Sequence, residues 1–127
     1  MKTENEVYDL SKVFALRIIK LSKYLTSERH EYTLSKQILK AGTSIGANIS
    51  EALMGQSRSD FLAKMYIALK ECNETKYWLE LLFQAGFLPE AAYKSVYADC
   101  CSLLRLLITI VKSTKTNPEE KESIINH

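Results

Sequence analysis

Between Phe61 and Gly86, uncharged and mostly apolar residues recur at alternating steps of four and three positions. The members are Phe61, Met65, Ala68, Cys72, Thr75, Leu79, Leu82 and Gly86. This spacing follows one face of an α-helix rather than the two-residue period of a strand. When it is sustained over several turns, helices cross at about 20°, as they do in helix bundles. The segment therefore predicts a long helix that packs along its whole length.

Three further segments carry a similar stripe. The first covers about residues 10–25, with Leu10, Val13 or Phe14, Arg17, Leu21 and Tyr24. The second has Leu34, Ile38, Ala41, Ile45, Asn48 and Ala52, and the fourth has Tyr93, Val96, Cys100, Leu103, Leu107, Ile110 and Thr114. Two prolines and four glycines are too few for the many turns of a β-protein. We therefore predict an all-α, antiparallel, up-down-up-down four-helix bundle.

The 127 residues fit one domain. Ser57, followed three residues later by Asp60, is typical of a helix start, and Gly86 with Pro89 is typical of a helix end. After Thr114 the sequence loses its periodicity and gains charge. We predict a single bundle domain over residues 1–114 and a disordered C-terminal tail over residues 115–127.

The stretch AGTSIGANISEALMG, residues 41–55, lies inside the predicted second helix although it is rich in poor helix formers. Each glycine costs about 1 kcal/mol against alanine in a helix interior. Gly42 and Gly46 are four apart and belong to a second stripe with Leu39, Ile49 and Leu53. We predict that another backbone approaches these glycines closely, from a neighbouring helix or from another subunit.

Asn48 lies on the apolar stripe of the second helix, where an unpaired amide would cost about 1–3 kcal/mol. Arg17 lies within the first stripe, and carboxylates flank the third. We therefore predict a buried polar cluster of Arg17, Ser44, Asn48, Glu51, Glu71 and Glu74. A register-fixing polar layer, as a buried asparagine provides in coiled coils, is one interpretation. A ligand or ion site is the other.

The net charge of +2 is unevenly distributed. Residues 10–50 carry seven basic and two acidic side chains, whereas residues 51–100 carry five and seven. If the first and second helices share a face, that face is basic. The start of the chain is polar, no window is apolar enough to span a membrane, and the three cysteines form no disulfide pattern. We expect a cytoplasmic protein with no membrane association.

Catalytic motifs are absent from the sequence. The only histidines are His30 and His127, and there is no Cys-x-x-Cys or His-Glu-x-x-His motif. Glu71 and Glu74 have a spacing found in di-iron bundles but lack the accompanying histidine. We expect no enzymatic activity, no metal site and no cofactor.

The stretch SKQILKAGTSIGANISEALMGQSRSDFLAKMYIALKECNETKYWLELL resembles the four helix bundle protein family, which includes the 23S rRNA intervening-sequence proteins. That family is related to accessory proteins of diversity-generating retroelements. The resemblance is carried by Ser44-Ile45-Gly46-x-Asn48-Ile49-x-Glu51, Phe61, Ile67-Ala68, Glu74-Thr75 and Trp78-Leu79. Many members have glycine where this chain has Ala52. The resemblance implies a homopentameric ring without catalytic activity, and a link to RNA.

Two hypotheses of function follow. The first is a non-enzymatic oligomer that binds RNA or DNA phosphates through Lys12, Lys20, Lys23, Arg29, Lys36 and Lys40. Few aromatic residues lie among these lysines, so we do not expect base stacking. The second is a protein scaffold, such as an accessory subunit of a reverse transcriptase, without direct nucleic-acid contact. A small-molecule or metal-binding enzyme is a third alternative.

Overall fold

The computed structural model describes residues 2–115, with side chains from residue 4 onward. This part of the chain forms four α-helices and no strand: α1 (Lys2–Ser27), α2 (Thr33–Leu53), α3 (Arg58–Gln84) and α4 (Glu90–Lys115). Each helix packs against the next, and α4 packs against α1. The predicted all-α class and the four-helix packing are confirmed. Residues 116–127 of the predicted tail lie outside the described residues.

The helix boundaries have the local causes that the sequence indicated. Ser57 is the N-cap of α3, and its hydroxyl accepts a hydrogen bond from the Asp60 amide at 3.1 Å. Gly86, at a φ of 84°, turns the chain after α3. The amide of Phe87 donates to the Leu82 carbonyl at 2.9 Å, which closes the C-terminal turn that a left-handed glycine permits.

The core is built from the stripes of α3 and α4 as predicted. On α3, the buried residues are Met65, Ala68, Cys72, Thr75, Leu79 and Leu82. On α4, they are Val96, Cys100, Leu103, Leu107, Ile110 and Val111. Phe61 and Tyr93, at the first turns of these stripes, are half-buried and pack against the same core.

The stripe predicted for α1 is correct at Phe14 and Leu21 but wrong at Leu10 and Arg17. The buried residues are Val7, Ser11, Phe14, Ile18, Leu21, Ser22 and Leu25. Leu10 and Val13 are instead 41% and 58% exposed. A polar residue on the core face concealed this register, because Ser11 is fully buried and its hydroxyl donates to the Tyr8 carbonyl at 2.6 Å. Burial of such a hydroxyl is tolerated when its hydrogen bond is made within the helix.

The two glycines of α2 face α1 of the same chain. A Cβ atom added at Gly42 would lie 2.8 Å from Cγ2 of Ile18, and one added at Gly46 would lie 2.9 Å from Oγ of Ser11. Nearer the α1–α2 connection, the buried hydroxyls of Ser22 and Ser35 lie 2.7 Å apart. At each of these three points of the α1–α2 contact at least one partner is a glycine or a serine, and we call them the α1–α2 seam (Ser11, Ile18 and Ser22 against Gly46, Gly42 and Ser35). We predicted the approach of another backbone, whereas the atoms nearest to these glycines belong to the side chains of Ile18 and Ser11 on the neighbouring helix.

Two thiols meet between α3 and α4. Sγ of Cys72 lies 3.6 Å from the carbonyl oxygen of Cys100, and Sγ of Cys100 lies 3.6 Å from that of Cys72. The hydrogen bond with the Cys72 thiol, and then burial, raise the pKa of the Cys100 thiol. Both residues are free cysteines and fill the core as small apolar groups.

Replacing Gly46 by leucine tests the seam. We expect Gly46→Leu to lower the free energy of unfolding by about 1–3 kcal/mol or more, because the new side chain overlaps Ser11. Ala47→Leu is the matched control, since Ala47 is the next residue of α2 and is exposed; its change should stay within about 0.5 kcal/mol. Urea unfolding measures both, and equal stabilities for the two variants would contradict the close approach.

Candidate nucleic-acid interface

The six basic residues predicted to contact phosphate are all exposed. Three lie on α1, one lies in the α1–α2 connection, and two lie on α2: Lys12, Lys20, Lys23, Arg29, Lys36 and Lys40. Because α1 and α2 are packed neighbours, these residues lie on two adjacent helices and the connection between them. The structure thus places the positive excess of residues 10–50 on adjacent helices.

The α1–α2 seam fixes where the lysines of α1 lie along the bundle axis relative to those of α2. Lys23 and Lys36 directly follow Ser22 and Ser35, whose hydroxyls are in contact across the two helices. Lys20 lies about one turn from Lys23, and Lys40 lies about one turn from Lys36 in the same direction along the bundle, since the helices are antiparallel. These four residues define the basic patch (Lys20, Lys23, Lys36 and Lys40). None of them forms an ion pair with another side chain in the described part of the chain.

The other two basic residues differ from the patch. Arg29 donates to the Gly86 carbonyl at 3.1 Å, and its guanidinium lies 5.5 Å from the centre of the Phe87 ring. It therefore ties the α1–α2 connection to the α3–α4 connection. Lys12 lies further along α1, with its ammonium 5.4 Å from the centre of the Tyr8 ring.

The predicted buried polar cluster does not form, and Arg17 shows why. Its guanidinium bonds to the Asp99 carboxylate at 2.5 Å and to the Ser95 hydroxyl at 3.0 Å, both on α4. Ile18 is the core residue at this level, so Arg17 is rotated about 100° away from the core and away from α2. The error has the same origin as the register error in α1.

The remaining members of the predicted cluster make short-range contacts. Asn48 is half-buried, and its amide donates to the carbonyl and the hydroxyl of Ser44, at 2.9 and 3.0 Å. Glu51 pairs with Lys64 of α3 at 3.3 Å, and Glu74 accepts a hydrogen bond from Trp78 at 3.2 Å.

Glu71, another member of the predicted cluster, is half-buried. Burial and then repulsion from Glu74 raise the pKa of Glu71, while Lys40 and Lys70 oppose the shift. Lys40 is therefore close enough to α3 to act on Glu71 electrostatically, although no ion pair joins them. Within residues 2–115 there is no group of three or more His, Cys, Asp or Glu side chains placed to hold a metal ion.

The side of α1 that faces α4 carries two open cavities that the sequence did not predict. The Arg17–Asp99 ion pair lies between them. On one side lies a cavity of about 420 Å³ with an apolar wall made by Leu21, Tyr24, Leu88, Pro89, Ala92 and Val96. Arg17 and Lys20 complete its lining. On the other side is a smaller cavity of about 180 Å³, bounded by Leu10, Val13 and Phe14 on α1.

The larger cavity, with Lys20 and Tyr24 at its α1 wall, is called the α1–α4 groove below. The correct register of α1 would have indicated it. With Ile18, Leu21 and Leu25 in the core, Lys20 and Tyr24 fall beside the core stripe. None of the helices in the described residues is apolar over a length that could cross a membrane.

Fold and sequence together define the class of this protein as an all-α four-helix bundle with a positive excess over residues 10–50. The family model described as "23S rRNA-intervening sequence protein" matches residues 3–109. The chain belongs to this family, which confirms the resemblance seen in the sequence.

A solved structure supports the same assignment. The chain is similar to a protein of unknown function from the S23 ribosomal protein family of Bacteroides thetaiotaomicron VPI-5482. The two share 51% sequence identity with a TM-score of 0.85, over 87% of this chain and 98% of that chain. No curated protein matches this chain.

Proposed function

We propose that this protein is a non-enzymatic, oligomeric four-helix-bundle protein that associates with RNA through the basic patch on α1 and α2. The observation that carries the proposal is the placement of Lys20, Lys23, Lys36 and Lys40 on neighbouring turns, exposed and without ion pairs among the described residues. Lysines in this state are available to replace the counterions of a phosphate backbone. We propose RNA rather than DNA as the partner because the family description names a 23S rRNA intervening sequence.

Oligomerisation is part of the proposal because one patch offers few phosphate contacts. Repeating the patch around a ring turns each further contact into an intramolecular event and raises the overall affinity. Leu10, Val13 and Leu16 of α1 are 41%, 58% and 61% exposed, which is unusual for aliphatic side chains on adjacent turns. They supply an apolar surface for a second subunit. The number proposed is five, which the family resemblance implies, and the expected location is the cytoplasm.

The second stripe of α2 no longer supports oligomerisation. Gly42 and Ile49 are buried inside the bundle, and Gly46 is covered by Ser11. The exposed aliphatic residues of α1 are the remaining structural support. They equally favour the second candidate function, a scaffold that grips a protein such as a reverse transcriptase. In that case binding would resist salt, because apolar contacts lack the steep salt dependence of phosphate contacts.

The proposed oligomer is tested by measuring the mass of the protein in solution. We expect light scattering at micromolar concentration to give about five times the 14.5 kDa of one chain. The double variant Val13→Glu with Leu16→Glu should dissociate the oligomer, since both side chains are exposed and new charges there oppose burial. Gln37→Glu with Ala47→Glu adds the same charge on exposed positions of α2 and should keep the mass. A monomeric wild type would contradict the proposal.

Charge reversal tests RNA association. The variant Lys20→Glu, Lys23→Glu and Lys36→Glu should bind a labelled RNA at least about tenfold more weakly at ~50 mM salt, because several phosphate contacts are lost together. The control reverses three lysines of α3 and α4, Lys70, Lys94 and Lys115, which gives the same net charge. Binding is measured by fluorescence anisotropy, with circular dichroism as a check of folding.

The outcomes separate the two candidate functions. Loss of affinity only in the α1–α2 variant supports the basic patch. Equal losses in both variants would show that net charge, not the patch, attracts the RNA. A wild-type protein that binds no RNA or DNA even at ~50 mM salt would overturn the proposal and leave the protein scaffold.

A further inference from the structure

We infer that the α1–α4 groove holds one unpaired nucleotide of single-stranded RNA, with its base against the apolar wall beside Tyr24 and its phosphate at Lys20. This inference rests on the proposed function and specifies it, because it names the form of RNA that the protein selects. Lys20 belongs both to the basic patch and to the lining of the groove. A strand that follows the patch therefore arrives at the open side of the groove.

The groove has the size and the lining that a base requires. Its volume of about 420 Å³ lies within the ~300–1,000 Å³ typical of small-ligand pockets. The wall is almost entirely aliphatic, with Leu21, Leu88 and Val96 at its core side, and Tyr24 contributes an aromatic ring. Bases bind such surfaces in a sequence-tolerant way, because every base presents a flat apolar face that can stack or lie against the wall.

The charges around the groove favour a phosphate at one place. Arg17 and Asp99 form an ion pair, so their charges largely cancel. Lys20 is exposed and makes no ion pair with any described residue, so it is the lining residue with an uncompensated positive charge. An anion is therefore attracted to the Lys20 end of the groove, and the body of the ligand extends along the aliphatic wall.

The ion pair also argues against a protein helix as the occupant. A docking helix would lay a continuous apolar stripe along α1 and α4 and would cover the Arg17–Asp99 pair between the two cavities. Their carboxylate and guanidinium are now partly exposed to water, and their desolvation would oppose docking. A single base fills the larger cavity, where it contacts Arg17 and leaves Asp99, which does not line that cavity, in water.

Selection of single strands follows from the position of the groove. A base can enter only if it leaves its stack and its pairing partner, which costs little in single-stranded RNA and several kcal/mol in a duplex. The basic patch would bind both forms through phosphate, whereas the groove adds affinity only for the single strand. The expected signature is a preference for single strands that depends on the groove.

The test fills the groove from a residue outside the core. Ala92 lines the groove and is exposed, so Ala92→Phe places a ring in the cavity without disturbing buried residues. Ala91→Phe is the matched control, because Ala91 is equally exposed on α4 and does not line the groove. The probes are a labelled 12-nucleotide single-stranded RNA and the blunt-ended duplex that it forms with its complement, measured by anisotropy at ~50 mM salt.

We expect Ala92→Phe to weaken binding of the single strand by about tenfold and to leave duplex binding unchanged, while Ala91→Phe changes neither. If Ala92→Phe leaves single-strand affinity at the wild-type value, the inference is wrong and the basic patch can still stand. A change in oligomer mass with unaltered RNA binding would assign the groove to a second copy of the chain and overturn the inference. Failure of the wild type to bind either RNA would overturn the proposed function itself.

Discussion

The close approach of α1 and α2 at Gly42 and Gly46 determines much of this structure. Any side chain at these positions would overlap Ile18 or Ser11, so the seam exists only because α2 accepts two poor helix formers. Packing recovers the lost helix propensity, as burial of Ile18 and Ile45 indicates. Because α1 packs so closely against α2, its opposite side remains more open toward α4, and the groove lies there.

The sequence predicted those parts of the fold in which apolar periodicity and burial agree. The stripes of α3 and α4 and the α3 cap at Ser57 were predicted and observed. The register of α1 was not predictable from apolar spacing, because buried Ser11 is polar while Val13 is apolar and exposed. Arg17 was misplaced for the same reason. A polar residue that makes its hydrogen bond within its own helix can be buried, and the hydropathy pattern does not show that burial.

The candidate site likewise has a part that the sequence predicted and a part that only the structure shows. The sequence identified the basic residues, because charged side chains are expected to be exposed whatever the exact register of their helix. The two helices that carry them are neighbours. Their height relative to one another depends on the Ser22–Ser35 contact, which only the structure provides. The α1–α4 groove combines residues far apart in sequence, Tyr24 and Ala92 among them, and the cavity beside Lys20 was therefore missed.

A double-mutant cycle between Gly42 and Ile18 tests the seam most directly. Gly42→Ala should destabilise the wild-type protein, because its Cβ would lie 2.8 Å from Ile18, although alanine is favoured by about 1 kcal/mol in an unhindered helix. In the Ile18→Ala background the contacts with Cγ2 and Cγ1 are removed and only the Cβ atom, 3.1 Å away, remains, so Gly42→Ala should be much less destabilising. Urea unfolding should give a coupling of at least about 1 kcal/mol. Effects of the two substitutions that add to within about 0.5 kcal/mol would contradict the account.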